Sequence, residues 1–249
     1  MAIIDEPVPD EMGLRRIGVE IERGFKSGAF VAHEYYAVRA LAELAGRKRD
    51  HALASARNAL RLAQNNTTTK LNSLVVFSCT VAVDDALPVL ADLFANHSDS
   101  KFVLRLATLR AIDFLQFDLA VAFAEKYEML AANDADKKVL MSKQLMRSAS
   151  AAKQLGLKDC DLSARIQVAV TVLIDRGYEI LRHSRLVLPD ASLVFGLHVD
   201  ASADVCAELN FDIADAIVAE FDDPAAEFLT VCCRPLVDVQ EMTAVRFDS

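Results

Sequence analysis

The sequence predicts an α+β protein: a mostly α-helical hairpin-repeat solenoid over residues 1–177, then a small acidic α+β domain over residues 178–249. Three observations predict it. Apolar residues recur at helical spacing from Glu11 to about Tyr178, with polar breaks at short intervals. A block of sequence repeats every 34 residues within that stretch. Near residue 180 both the hydrophobic period and the charge change.

The charge change is abrupt. The chain holds 27 Lys+Arg against 36 Asp+Glu, a net −9. Residues 187–249 contain two cations, Arg234 and Arg246, against thirteen acids, a local net of −11. The remainder therefore sits near +2, which places the expected domain boundary close to residue 178. With 53% hydrophobic and 25% charged residues the chain belongs among globular proteins. Its 8 glycines and 6 prolines argue against a β-sandwich or a collagenous chain.

Breaks fall at Gly46-Arg47-Lys48, Asn65 to Thr69, Asn96 to Ser100, Asn133-Asp134 and Gly156 to Asp161. Each break supplies Asx, Ser or Gly chemistry that stops one helix and caps the next. In 101–115, Leu104, Ala107, Ala111 and Leu115 form one stripe, widened by Phe102, Leu106, Leu109 and Phe114. So apolar a helix must lie between neighbours.

The repeat aligns Asp50-His51-Ala52-Leu53, Asp84-Asp85-Ala86-Leu87 and Asp118-Leu119-Ala120-Val121. Ala56, Leu90 and Ala124 follow in register, then Ala59, Leu93 and Tyr127. A period of 34 is one helix–turn–helix hairpin, and a small residue early in the second helix lets it approach its partner closely. The recurring Asp suits a helix N-terminus, where free N–H groups and the dipole favour an anion. Over about residues 30–134 this pattern resembles a tetratricopeptide array, with first helices near 30–45, 69–82 and 101–115. The family's first-helix aromatic is matched by Tyr36, with Lys70 and Leu104 in the next two units, and its small residue by Ala40, with Leu74 and Thr108 following. Pro88 falls inside a second helix, which tolerates it only within its first turn.

After Gly177 the pattern alternates. Segments 179–188 and 193–200 flank the turn signal Pro189-Asp190-Ala191-Ser192 and read as a hairpin. A symmetric turn pairs His183 with His198. It puts Leu186, Leu188, Leu193, Phe195, Leu197 and Val199 on one face and His183, Arg185, Gly196, His198 and Asp200 on the other. A helix from Ser202, its N-cap, to Phe221 follows, then a third strand over 228–232.

Function is constrained mostly by exclusion. The sequence contains no phosphate-binding glycine loop and no HExxH, GxSxG or CxxC spacing. No cofactor is expected. The acidic balance and the lack of aromatics interleaved with Arg47-Lys48-Arg49 give no expectation of nucleic-acid binding. Five cysteines, odd in number and unpaired in spacing, fit a reducing compartment. Met1 to Gly13 carries acids and no base, unlike an export signal. The longest apolar run, Leu74 to Val83, is half a bilayer crossing. The expectation is cytoplasmic, with no membrane contact.

Two readings remain. The first is a non-catalytic scaffold or adaptor that takes a protein or peptide partner in a groove lined by first-helix residues. By repeat phase these are Ala37, Leu41, Leu71, Val75, Arg105 and Leu109. The alternative is a metal-dependent hydrolase or nuclease using His183, His198 and Asp200 on the hairpin as metal ligands or acid–base groups, or else a regulatory subunit whose small domain senses a ligand or dimerises.

Overall fold

The computed structural model describes residues 10–130, 143–222, 225 and 227–236. Among these residues the chain forms ten helices and one three-stranded sheet, so it is mostly α with a small mixed sheet at the C-terminal side. Helices α1 (Glu11–Lys26), α2 (Ala32–Ala45), α3 (Arg49–Leu62), α4 (Thr67–Thr80), α5 (Val83–Asn96), α6 (Lys101–Asp113) and α7 (Phe117–Leu130) each pack on the next. The first helices of successive pairs also touch, α2 on α4 and α4 on α6. Then come α8 (Lys143–Gln154) and α9 (Asp159–Asp175). No helix among the described residues is long and apolar enough to cross a membrane.

The 34-residue period is a period of burial. Ala52, Ala86 and Ala120 are each fully buried, as are Ala56, Leu90 and Ala124 one turn later. The equivalent first-helix positions Ala40, Leu74 and Thr108 are buried to the same degree, and the Thr108 hydroxyl donates to the Leu104 carbonyl within its own helix. Asp50, Asp84 and Asp118 fall in the first turns of α3, α5 and α7, where an anion is favourable.

The turns repeat as faithfully as the core. Arg47, Val81 and Leu115, 34 residues apart, all take the left-handed conformation, with φ of 56°, 53° and 54°. After each, the next amide closes back on the carbonyl five residues earlier: Lys48 to Glu43, Ala82 to Phe77 and Gln116 to Ala111. This is the Schellman ending of a helix. Helices α1, α8 and α9 end the same way at Gly28, Gly156 and Gly177, where glycine removes the steric cost. In the repeats the costlier residues are retained. Val81 and Leu115 are buried, so their side chains recover packing that glycine lacks. Pro88 lies in the second turn of α5 rather than the first. Both it and Asp84, whose carbonyl loses its i+4 amide, are exposed, so water can take up that carbonyl.

Strands β1 (Ile180–Val187), β2 (Leu193–Val199) and β3 (Leu229–Pro235) lie in the order β1-β2-β3. β1 and β2 are antiparallel; β2 and β3 are parallel, joined by helix α10 (Ala203–Glu220), whose N-cap Ser202 accepts from the Val205 amide. α10 buries Cys206, Leu209, Ile213 and Ile217, packing on β3 and on α9. Helix α9 thus belongs to the layer that covers the sheet as well as following the array. Gln116 of the α6–α7 turn donates to the Asp159 carbonyl and to Ser163, and Asp159 accepts from the Asp118 amide, tying α9 to the third hairpin. One continuous apolar core runs from α2 to β3.

The hairpin register differs by one residue from the symmetric expectation. His183 pairs with Leu197, Ser184 with Gly196, Arg185 with Phe195 and Val187 with Leu193. The cause is Ala191, which takes φ 72° after Pro189-Asp190. The Leu188 amide bonds to the Ser192 carbonyl and Ala191 to Leu188, while Asp190 accepts from the Ser192 amide. A loop with an odd number of residues centred on Asp190 replaces the even one, as a turn ending in a left-handed residue requires. β2 keeps its expected inner face: Leu193, Phe195, Leu197 and Val199 are buried. β1 is inverted. His183 and Arg185 join that inner face, and Leu186 faces outward, 52% exposed.

Candidate functional site

Inverting β1 sends a cation inward, and the fold meets it with Asp113 at the C-terminal end of α6. The Asp113 carboxylate is 9% exposed. Its Oδ2 accepts from Ser78 Oγ at 2.7 Å and from Arg110 at 2.8 Å, and its Oδ1 accepts from Arg185 at 3.0 Å. His183 Nε2 stands 3.8 Å from Oδ1, and its ring stacks on Phe195, centroids 5.4 Å apart and nearly parallel. Burial pushes the Asp113 carboxyl up. The His183 imidazole, the Arg185 charge and the Ser78 bond outweigh it and hold the group at about 2. Burial also lowers Arg185, against the pull of Asp113 and together with nearby Arg110.

This junction joins three elements that are remote in sequence: α4, α6 and β1. Ser78 continues the helix stripe of Leu71 and Val75, and Asp113 continues that of Arg105 and Leu109. The first-helix face expected to line a groove therefore runs into the junction, and β1 packs against α4. Of the six expected groove residues, Ala37 and Leu71 are buried, Leu41 and Val75 half-buried, and Arg105 and Leu109 exposed. Ala37 and Leu71 are core residues in this fold, because α2 and α4 are covered by their neighbours. The open part of that face is on α6, where Phe102, 65% exposed, joins Arg105 and Leu109 in one stripe.

On the other face of the sheet His198 is 7% exposed. Its Nε2 lies 2.8 Å from Ser184 Oγ and its Nδ1 lies 3.2 Å from the Pro235 carbonyl. Since a carbonyl only accepts, Nδ1 carries the proton and the Ser184 hydroxyl donates to Nε2. Burial lowers the His198 pKa, and the Arg182 and Arg234 charges add to that against the Pro235 bond. The imidazole is neutral at neutral pH.

The hairpin does not bring the expected metal ligands together. His183 and His198 occupy opposite faces of the sheet, and Asp200 lies exposed beyond the end of β2. The one-residue register shift is the reason. Among the described residues no group of three His, Cys, Asp or Glu side chains stands close enough to hold an ion.

Two further polar clusters lie in the helices. Lys70, 4% exposed, occupies the position where the repeat resemblance expected an aromatic. Its ammonium pairs with Asp92 and lies 3.0 Å from His97 Nε2, while His97 Nδ1 meets Thr67 Oγ1 at 3.1 Å. At the N-terminal end, Tyr35 donates to Glu22, Arg39 donates to Tyr35 and Glu43, and Ser55 donates to Glu43. This chain links α1, α2 and α3 beside a cleft of about 560 Å³, whose floor includes Leu14, Gly18 and Ile21. Cys233 lies 3.5 Å from Cys206, and burial together with that neighbour pushes its thiol up to about 12, away from an activated nucleophile.

Asp113 and the Ser184–His198 pair were not singled out by sequence reasoning. The signal for the first lay in Asp113 itself, the one carboxylate of a helix whose other charges, Lys101, Arg105 and Arg110, are all cations. Comparison with known proteins gives no match: neither a family model, nor a curated protein, nor a solved structure aligns with this chain.

Proposed function

We propose that the protein is a non-catalytic interaction scaffold, a tetratricopeptide-like array that presents its α6 face to a protein or peptide partner. The observation that carries this reading is the exposed stripe Phe102–Arg105–Leu109 on a helix whose other sides are buried in a repeating core. A large aromatic and a leucine left in water, with a cation between them, suit an amphipathic segment that brings apolar side chains and a carboxylate. The junction at Asp113 holds β1 against the C-terminal end of the same face, so the sheet bounds the surface. Affinity capture from native lysate tests the reading when run with wild type and with the double variant Phe102→Ser, Leu109→Ser. A protein retained stoichiometrically by wild type and lost by the variant, with helical content unchanged, supports it. Equal recovery by both proteins, or no retained protein, contradicts it.

A further inference from the structure

The outer face of the sheet carries two cross-strand rows. In one, Arg182 of β1, His198 of β2 and Arg234 of β3 are aligned partners; in the next, Ser184, Gly196 and Cys232 are. Two guanidinium groups thus flank one neutral imidazole, in a part of the chain where acids outnumber bases. Arg182 and Arg234 are both exposed. Adjacent strands are about 4.8 Å apart, so the two backbones are separated by roughly 10 Å.

Gly196 narrows that gap. A Cβ on it would fall 2.7 Å from Ser184 Oγ, 3.2 Å from Arg234 Cδ and 3.4 Å from Arg234 Nε. The missing side chain is what allows Arg234 to lie inward over Gly196, beside Ser184. Ser184 and His198 satisfy each other, and His198 is anchored to the Pro235 carbonyl, so the floor beneath the two arginines is held in place and neutral. The same row supplies the guanidinium N–H groups of Arg182 and Arg234, forked donors of the kind that bind phosphate oxygens.

We propose that this row is a binding site for a tetrahedral dianion, a phosphate or sulfate group, gripped between Arg182 and Arg234 above Gly196 and His198. The inference is independent of the scaffold reading, because it concerns the opposite side of the sheet from the Asp113 junction. Arginine Nε–H resonances followed by NMR during titration with inorganic phosphate, sulfate, phenyl phosphate and acetate test it. Wild type is expected to show saturable shifts for phosphate and sulfate with Kd on the order of 1 mM, and at least fivefold weaker binding of acetate. Arg182→Gln and Arg234→Gln should each weaken phosphate at least fivefold, and together abolish saturation. Arg61→Gln, an exposed change on α3, should leave it unaltered. Tighter binding of phenyl phosphate than of inorganic phosphate assigns the site to an ester, and equal binding assigns it to the free anion. Both exchanged arginines are on the surface, so an unchanged amide spectrum establishes that the variants are folded. Non-saturating shifts in wild type, affinity retained by the double variant, or acetate binding as well as phosphate would overturn the proposal.

Discussion

Replacing Asp113 by Asn removes the charge at the junction while keeping its shape. The carboxylate neutralises Arg110 and Arg185, whose side chains are 21% and 29% exposed. Breaking a fully buried pair costs about 3–5 kcal/mol, and this site belongs at the lower end because both guanidiniums can turn partly to water. A second route gives a similar figure. The carboxyl is held at about 2 against an ordinary 3.8, and a shift of nearly two pK units corresponds to about 2.5 kcal/mol. The sign follows from the depressed value: the contribution is complete above about pH 5 and is lost as the pH falls through 3.8 towards 2. Urea unfolding followed by far-UV circular dichroism should therefore show Asp113→Asn less stable by about 2–3 kcal/mol at pH 7. The gap should narrow to about 1 kcal/mol or less near pH 2.5, since every other carboxylate is common to both proteins. Equal midpoints at pH 7, or a gap that does not change with pH, would refute the reasoning.

Other consequences are equally measurable. Ala86→Leu should cost about 1–3 kcal/mol in urea unfolding, because Ala86 is fully buried at a helix–helix contact. Gly156→Ala should cost about 1–2 kcal/mol from backbone conformation alone, since the residue has φ 72° and an added Cβ meets nothing within 4 Å. Ala191→Gly should instead raise stability by about 0.5–1 kcal/mol, by relieving the left-handed strain of the hairpin. In an NMR titration His198 should protonate with a midpoint below 6.5, and a midpoint at or above that value would contradict its buried, arginine-flanked setting.

The repeat was legible because it is written in side-chain size. Alanine at 52, 86 and 120 has one physical use at that spacing, and all three positions are buried as the period requires. The turns between paired helices were less legible, since Arg47, Val81 and Leu115 take a conformation normally signalled by glycine. The same omission misplaced the hairpin. Ala191 gives no sign that it will be left-handed, and a symmetric turn then moves the β1 side chains from Arg182 to Val187 to the wrong face. The consequences reached the site: with His183 and Arg185 expected in water, nothing in the sequence asked for the carboxylate of Asp113, 72 residues from Arg185. Lys70 was legible as a departure from the repeat, but its partners Asp92 and His97 come from the end of the following helix. Arg105 and Leu109 were placed on the open face by repeat phase alone. Ala37 and Leu71 share that phase yet are buried, because how much of a helix stays open depends on what packs over it.

The composition of both faces of the sheet depends on the β1–β2 register, and one nuclear Overhauser experiment decides it. With His183 opposite Leu197, its ring lies parallel to that of Phe195, 5.4 Å between centroids. Cross-peaks from the His183 ring to the Phe195 ring protons are the predicted result. Cross-peaks from the His183 ring to the His198 ring, with none to Phe195, would restore the symmetric hairpin. They would also remove the Asp113 junction and the Arg182–His198–Arg234 row together.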